Sequence, residues 1–148
     1  MLIDDLWNRL ILYRKNVTYS KDLRIIGRIF VHGRKGGIKI GSNVTIQSSP
    51  TSNPTSGFQH TYLRTEGRGR IIIGDHVGMS HVNITAFEQV EIERDVLLGS
   101  GVKIWDTDFH PVDFNSRMAN TRPQSRAILI REGAFIGACS IIKVWMFF

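Results

Sequence analysis

Hydrophobic residues recur every six positions in the second half of the chain. Two interleaved series, at positions 84, 90, 96 and 102 and at positions 86, 92, 98 and 104, hold seven Ile, Leu or Val residues in eight places. The residues are Ile84, Ala86, Val90, Ile92, Val96, Leu98, Val102 and Ile104. A period of six fits neither a helix nor a simple hairpin meander. It predicts an all-β solenoid in which each unit is a short strand and a turn, with aliphatic side chains stacked inside.

The same step of six extends the predicted repeat region to residues 25–142. It links Ile40 to Ile46, Ile73 to Met79, and Ile130 to Ile136 and Ile142. Two stretches, residues 47–60 and 106–126, lack the pattern and are predicted to be loops. The first is interpreted either as a connection or as a wall of an acceptor site. The second is the stronger functional candidate, because long loops inside compact domains are usually functional.

The N-terminal residues follow a helical period instead. Residues 3–15 predict a short helix, with Asp4 and Asp5 at its start and Arg14 near its end. Four residues at three- and four-residue steps define one apolar face: Leu2, Leu6, Leu10 and Tyr13. We expect residues 1–24 to be a helical cap and linker, with this face on the end of the core. Binding of the helix to a membrane surface is the alternative.

Length and composition restrict the chain to one ordinary domain. It has 148 residues, of which 42% are hydrophobic and 22% charged, and these values argue against a disordered chain or a membrane bundle. No secretory leader is recognised, and the single cysteine, Cys139, favours a reducing compartment. We therefore expect a cytoplasmic protein.

The net charge of +6 is concentrated near the N-terminus. Residues 14–39 contain eight basic residues and one acidic residue, Asp22, so this segment carries +7. A solvated face is the simplest interpretation, and anionic lipid headgroups or a phosphorylated ligand are alternatives. No nucleic acid partner is expected, since no zinc-finger, basic-zipper or RNA-recognition spacing accompanies the charge.

Three six-residue motifs and one loop resemble a known family. The motifs Ile73-Gly-Asp-His-Val-Gly, Leu98-Gly-Ser-Gly-Val-Lys and Ile136-Gly-Ala-Cys-Ser-Ile resemble the hexapeptide repeats of left-handed parallel β-helix acyltransferases. The segment Asp106-Thr-Asp-Phe-His-Pro resembles the signature loop of their sugar O-acetyltransferase branch. The resemblance implies a left-handed parallel β-helix and a homotrimer with active sites between subunits. It also implies acetyl-CoA as co-substrate, a sugar or polysaccharide acceptor of the capsule or lipopolysaccharide type, and no metal.

The resemblance also suggests roles for site residues. His110 is the candidate general base, since an imidazole can take a proton near neutral pH; a surface histidine in a polar loop is the alternative. Asp106 and Asp108 are candidates for orienting the imidazole or binding the acceptor. Asn83 corresponds to an acceptor-binding asparagine, or is an ordinary turn residue. Cofactor contacts are expected on the thioester side, from Phe135, Gly137 and Ala138.

Some features depart from the family or suggest other functions. The tail, residues 143–148, is rich in aromatic residues, and we expect a C-terminus shortened where the CoA arm would bind. A catalytically impaired β-helix that acts as a binding or scaffold protein is therefore the alternative function. His76 and His81 invite comparison with γ-class carbonic anhydrases, but the order of their histidine spacing is reversed relative to that class.

Overall fold

Residues 2–51, 53, 55, 57 and 59–144 are described by a computed structural model of the chain. Within these residues the chain forms a first helix α1 (Leu2–Arg14), fourteen short strands and a second helix α2 (Phe114–Met118). The predicted helix at residues 3–15 is confirmed to within one residue. The strands, at two to four residues each, are as short as the six-residue period requires.

Every third strand belongs to the same parallel sheet. The first sheet contains β1 (Arg24–Gly27), β4 (Thr45–Ser48), β7 (Gly78–Ser80), β10 (Leu97–Leu98) and β13 (Phe135–Ile136). The second sheet contains β2 (Phe30–Gly33), β5 (Tyr62–Thr65), β8 (Asn83–Ala86), β11 (Lys103–Trp105) and β14 (Ile141–Lys143). The third sheet contains β3 (Ile38–Ile40), β6 (Arg70–Ile73), β9 (Gln89–Ile92) and β12 (Ile128–Ile130). Three successive strands thus visit the three sheets in turn, which is consistent with a parallel β-helix.

The interior is the column of aliphatic residues that the period predicted. All eight residues of the two interleaved series are at most 1% exposed. Ile84 on β8 pairs in register with Leu63 on β5 and with Ile104 on β11. Each circuit of the chain, which consists of three successive strands, therefore packs directly on the next. Because strands alternate their side chains, the neighbours of these residues lie on the outer faces of the sheets. The buried column fixes which residues remain available for a site.

Helix α1 covers the start of this column, but with the face opposite to the one expected. Leu2, Leu6, Leu10 and Tyr13 are exposed, and the prediction that they cover the core is wrong. Asn8 is buried instead, since its Nδ2 donates to the Gly27 carbonyl and its Oδ1 accepts from the Ile29 N–H. The first turn of the sheet region leaves these backbone groups unpaired, and a buried amide side chain satisfies both of them. A polar residue therefore takes a place that hydrophobic periodicity alone assigns to the outside.

Two insertions interrupt the repeating strands, as the missing pattern predicted, but Gln47 and Ser48 of the first predicted loop belong to β4. One lies between β4 and β5, and the other, at residues 106–127, lies between β11 and β12. The first insertion enters the second sheet at the amino-terminal end of β5. The second insertion leaves that sheet at the carboxyl-terminal end of β11. The second sheet therefore has one inserted loop at the amino-terminal ends of its strands and the other at the carboxyl-terminal ends.

The predicted atypical tail is described only in part. Lys143 ends β14, Val144 is buried, and residues 145–148 lie outside the described residues. In the part of the chain that the structure describes, neither helix is long and apolar enough to span a bilayer.

Candidate active site

The outer face of the second sheet carries the predicted acceptor residue. Asn83 begins β8 and points outward, because its neighbour Ile84 is buried in the column. Trp105 ends β11 and is directed outward in the same way, next to the buried Ile104. The indole Nε1 of Trp105 donates to Oδ1 of Asn83 over 3.2 Å. This bond orients the amide of Asn83 and turns its nitrogen toward any further partner.

An aromatic wall connects this face to the 106–126 loop. The ring of Phe109 packs edge to face on Trp105, with centroids 5.6 Å apart, and on Phe87, with centroids 6.1 Å apart. Phe109 has a left-handed backbone (φ +61°), which turns the chain sharply, and its N–H donates to Oγ1 of Thr107. The turn places the residues on either side of Phe109 near the edge of the sheet. His110 is one of them.

Asp106 lies at the root of the loop and bonds inward. It is fully buried, and its two carboxylate oxygens accept the N–H groups of Phe87 and Glu88, each over 2.7 Å. The carboxylate thus holds the corner between β8 and β9. A charged group is tolerated there because both oxygens have donors. Asp106 has no oxygen directed at an acceptor, and its predicted contact with a substrate has no support in this geometry.

Asp108 and His110 lie at the mouth of the loop. Oδ1 of Asp108 accepts a hydrogen bond from Nζ of Lys143 on β14 over 2.9 Å. The backbone carbonyl of Asp108 accepts from the N–H of His110 over 2.7 Å. The His110 side chain is exposed and has no hydrogen-bond partner among the described residues. The carboxylate of Asp108 thus faces a lysine, and its predicted role in orienting the imidazole stays a prediction. An exposed imidazole is free to meet a substrate.

The remainder of the loop is held by its own hydrogen bonds. An antiparallel bridge joins Thr107 to Ser125, and the N–H of Arg126 donates to the Asp106 carbonyl over 3.0 Å, so the two ends of the loop meet. Helix α2 begins after Asp113, whose carboxylate accepts from the Ser116 N–H over 2.7 Å. This backbone hydrogen bond lowers the pKa of Asp113 below its usual value. The loop therefore has a defined conformation around His110.

The predicted thioester side lies around β13. Phe135 is 69% exposed on the outer face of the first sheet. A Cβ on Gly99 would lie 2.6 Å from the Ala138 nitrogen, so glycine is required where the corner of one circuit touches the next. A Cβ on Gly137 would meet nothing closer than 3.9 Å, and this corner is open. The N–H of Ala138 has no hydrogen-bond acceptor among the described residues.

The structure brings together one part of the predicted site and keeps the other apart. Asn83 and the loop carrying His110 are linked through Trp105 and Phe109. Ala138 precedes β14 at the amino-terminal edge of the second sheet, whereas the 106–126 loop leaves the carboxyl-terminal edge. Within the described ranges, no hydrogen bond, ion pair or ring contact joins Phe135, Gly137 or Ala138 to Asn83 or His110.

His76 and His81 lie in different environments. Nδ1 of His76 is 3.0 Å from Oδ1 of Asp95 on the surface. His81 is buried, with Nδ1 near Ser80 Oγ and Nε2 3.1 Å from the Ser49 carbonyl. No group of three or more His, Cys, Asp or Glu side chains placed to hold a metal ion is found in the described part of the chain. The pair that prompted a comparison with carbonic anhydrases is thus divided between two environments.

Trp105, Phe109 and Lys143 contribute to the site but were not predicted from the sequence. Trp105 could have been found, because it alternates with the buried Ile104 and immediately precedes the loop. The pairing of Lys143 with Asp108 joins residues 35 positions apart and has no local signal. Comparisons of the chain with protein-family models, with curated proteins and with solved structures found no match. The functional assignment therefore depends on the residues of this chain.

Proposed function

We propose that this chain is a sugar O-acetyltransferase built on a left-handed parallel β-helix. It would transfer an acetyl group from acetyl-CoA to a hydroxyl of a sugar or polysaccharide. The short strands in three parallel sheets and the six-residue motifs support the fold, and the handedness follows the resemblance of those motifs to the acyltransferase family. The loop at residues 106–111 supports the choice of the sugar-acetylating branch.

One observation carries the proposal. The hydrogen bond from Trp105 to Asn83 and the packing of Phe109 on Trp105 join an outward amide to the segment that carries His110. An amide, an aromatic wall and an exposed imidazole are the groups that a sugar site uses. The amide binds hydroxyls, the aromatic ring packs on the apolar face of a pyranose, and the imidazole takes a proton.

The chemistry follows from these positions. A sugar hydroxyl becomes a good nucleophile when His110 removes its proton during attack. The hydroxyl oxygen forms a bond to the thioester carbonyl carbon, and the carbon–sulfur bond then breaks. His110 returns the proton to the departing sulfur, which gives the acetyl ester and CoA. The Ala138 N–H would donate to the carbonyl oxygen as negative charge develops on it.

The separation of His110 from Ala138 supports an assembly of several subunits. The two residues lie at opposite edges of the second sheet in one chain. In a homotrimer, the loop of one subunit would face the open corner at Gly137 and Ala138 of its neighbour. Phe135 would line the same cleft with its exposed ring. The trimer is thus part of the proposed mechanism, because one chain does not bring both halves of the site together.

The direct test replaces His110 with asparagine. The assay follows CoA release by chromatography with a panel of hexoses, N-acetylhexosamines and oligosaccharides, because the exposed thiol of Cys139 would react with a thiol reagent. His110→Asn is expected to lower kcat by about 10²- to 10⁴-fold, the usual contribution of a general base. His76→Asn, at an exposed histidine outside the proposed site, is the matched control and should retain the wild-type rate.

Assembly and ligand binding complete this test. The mass of His110→Asn in solution should equal that of a wild-type trimer, because the imidazole makes no contact that holds the fold. Calorimetry with CoA should show binding to both proteins. Wild-type turnover by His110→Asn would contradict the role of His110 as general base. Absence of CoA binding by the wild-type chain would favour the binding or scaffold function instead.

A further inference from the structure

The outward face of helix α1 is a continuous apolar stripe. Five residues form it, with exposed fractions between 48% and 86%: Leu2, Ile3, Leu6, Leu10 and Tyr13. At about 100° per residue these positions fall on one side of the helix, opposite Asn8 and Leu12, which face the sheets. Single exposed apolar residues are ordinary, but five along one helix face mark an interaction surface.

Basic side chains border this stripe on both sides. Arg9 lies at one edge and Arg14 at the other, by the same helical geometry. Beyond Arg14, a groove of about 790 Å³ runs between α1 and the turn after β2, and Arg14, Lys15 and Lys35 line it together with Trp7. No carboxylate is present among the described residues that line this groove. The apolar stripe therefore adjoins a cavity suited to an anionic group.

Few of these charges are neutralised within the protein. Among the described residues, Arg9, Arg14 and Lys35 have no ion-pair partner. Of the two carboxylates on α1, Asp4 is engaged by Arg28 over 3.1 Å, while Asp5 is exposed in the first helical turn. Helix α1 has two Asp and two Arg, and Lys15 and Lys35 in the adjoining groove therefore make the border of the stripe positive.

We propose that this surface docks on an anionic lipid bilayer. Helix α1 would lie in the plane of the headgroups, with Leu6 and Leu10 entering the acyl boundary and the arginines reaching lipid phosphates. Tyr13, which is 84% exposed, has the amphipathic ring that favours this depth. A helix of 13 residues is about 20 Å long and suits lying on a bilayer.

The charge pattern favours a lipid surface over a second copy of the chain. A contact between two such surfaces would bring the unpaired cations Arg9, Arg14 and Lys35 of one copy close to the same cations of the other. An anionic bilayer instead attracts the same cations, and each basic residue near it adds to binding. This proposal is independent of acetyl transfer and concerns only where the protein is held.

Vesicle sedimentation tests the apolar stripe. The full chain is mixed with vesicles of phosphatidylcholine alone, or of phosphatidylcholine with phosphatidylglycerol. Binding is expected only to the anionic vesicles. Leu6→Ser together with Leu10→Ser should lower the partition coefficient by at least about 10-fold, since each leucine loses its contact with the acyl boundary. Leu129→Ser, at an exposed leucine on the third sheet, is the matched control and should bind as wild type.

Charge reversal tests the basic border. Arg9→Glu with Arg14→Glu should reduce binding at least about 10-fold, and wild-type binding should fall as salt is raised. The control reverses Arg122 and Arg126 in the 106–126 loop, which changes net charge equally but should retain binding. Circular dichroism of each variant verifies that it is folded.

Three outcomes would overturn the proposal. Wild-type protein that fails to sediment with anionic vesicles contradicts it, as does a folded stripe variant that binds as well as wild type. The third is a stripe variant whose mass in solution falls relative to wild type while neither protein binds vesicles. That result would show that another copy of the chain covers the stripe.

Discussion

Replacing Asp106 with asparagine should destabilise the fold, although this residue belongs to the loop that resembles the signature loop of sugar O-acetyltransferases. Its carboxylate is fully buried and accepts two backbone N–H groups over 2.7 Å each. A hydrogen bond to a charged group contributes about 1.5–3 kcal/mol, and a buried donor left unpaired costs about 1–3 kcal/mol. Asparagine keeps one acceptor oxygen and turns its NH₂ group toward the second N–H. We expect a loss of about 2–4 kcal/mol in the free energy of unfolding.

Asp108→Asn is the matched control, two residues away with the same chemical change. Asp108 bonds to Lys143; the Asp108 side chain is only 9% exposed, but the Lys143 side chain is 53% exposed, so water screens the pair from the lysine side. Asparagine also keeps an oxygen that can accept from Lys143, so the substitution should cost about 1 kcal/mol or less. Urea unfolding followed by circular dichroism should therefore move the midpoint of Asp106→Asn down by about 1.5 M and leave that of Asp108→Asn nearly unchanged. Equal midpoints for Asp106→Asn and wild type would refute the structural role of this carboxylate.

Three further predictions concern the column, a corner and a helix cap. Ile84→Ala should lower the free energy of unfolding, measured in urea, by about 2–5 kcal/mol. Ile141→Ala, on the outer face of its sheet, should change it by less than about 0.5 kcal/mol. Equal losses would contradict the burial of Ile84 in the aliphatic column. Gly99→Ala should cost about 1–3 kcal/mol, because its Cβ would meet the Ala138 nitrogen; a neutral result would contradict this packing. The depressed pKa of Asp113 means that its cap stabilises α2 above pH 3.8 and is lost as pH falls through the folded pKa. An NMR titration of that carboxyl should have its midpoint below pH 3.8, and a higher midpoint would contradict the capping hydrogen bond from Ser116 to Asp113.

The fold could be predicted from the sequence wherever burial produced a period. Ile84 and Ile104 are twenty residues apart, yet both lie in phase with the step of six, and both are fully buried. Helix α1 had no comparable guide, because two faces of it carry aliphatic residues. The face that packs was selected by Asn8, whose amide satisfies the Gly27 carbonyl and the Ile29 N–H. Hydrophobic periodicity does not register such hydrogen-bond requirements.

The loop of the candidate site could be predicted from the sequence, but the contacts of its side chains could not. The missing hexads located residues 106–126, and His110 became the candidate base through the chemistry of imidazole together with the resemblance of this loop to the acyltransferase family. The spacing of Asp106 and Asp108 could not assign separate roles to them, since both face the same way by alternation. The structure distinguishes them by their donors, which are two backbone N–H groups for Asp106 and Lys143 for Asp108. These contacts depend on long-range packing that no local pattern contains.

The most direct test of the central claim follows the acetyl group itself. Acetyl-CoA with an isotopic label in its acetyl group is incubated with the wild-type chain and the sugar panel, and the products are analysed by mass spectrometry and NMR. The account predicts a labelled acetyl ester on a sugar hydroxyl, formed in equal amount to free CoA, and its loss in His110→Asn. Label that stays on CoA with every acceptor, or a labelled sugar ester formed equally well by His110→Asn, would contradict the account.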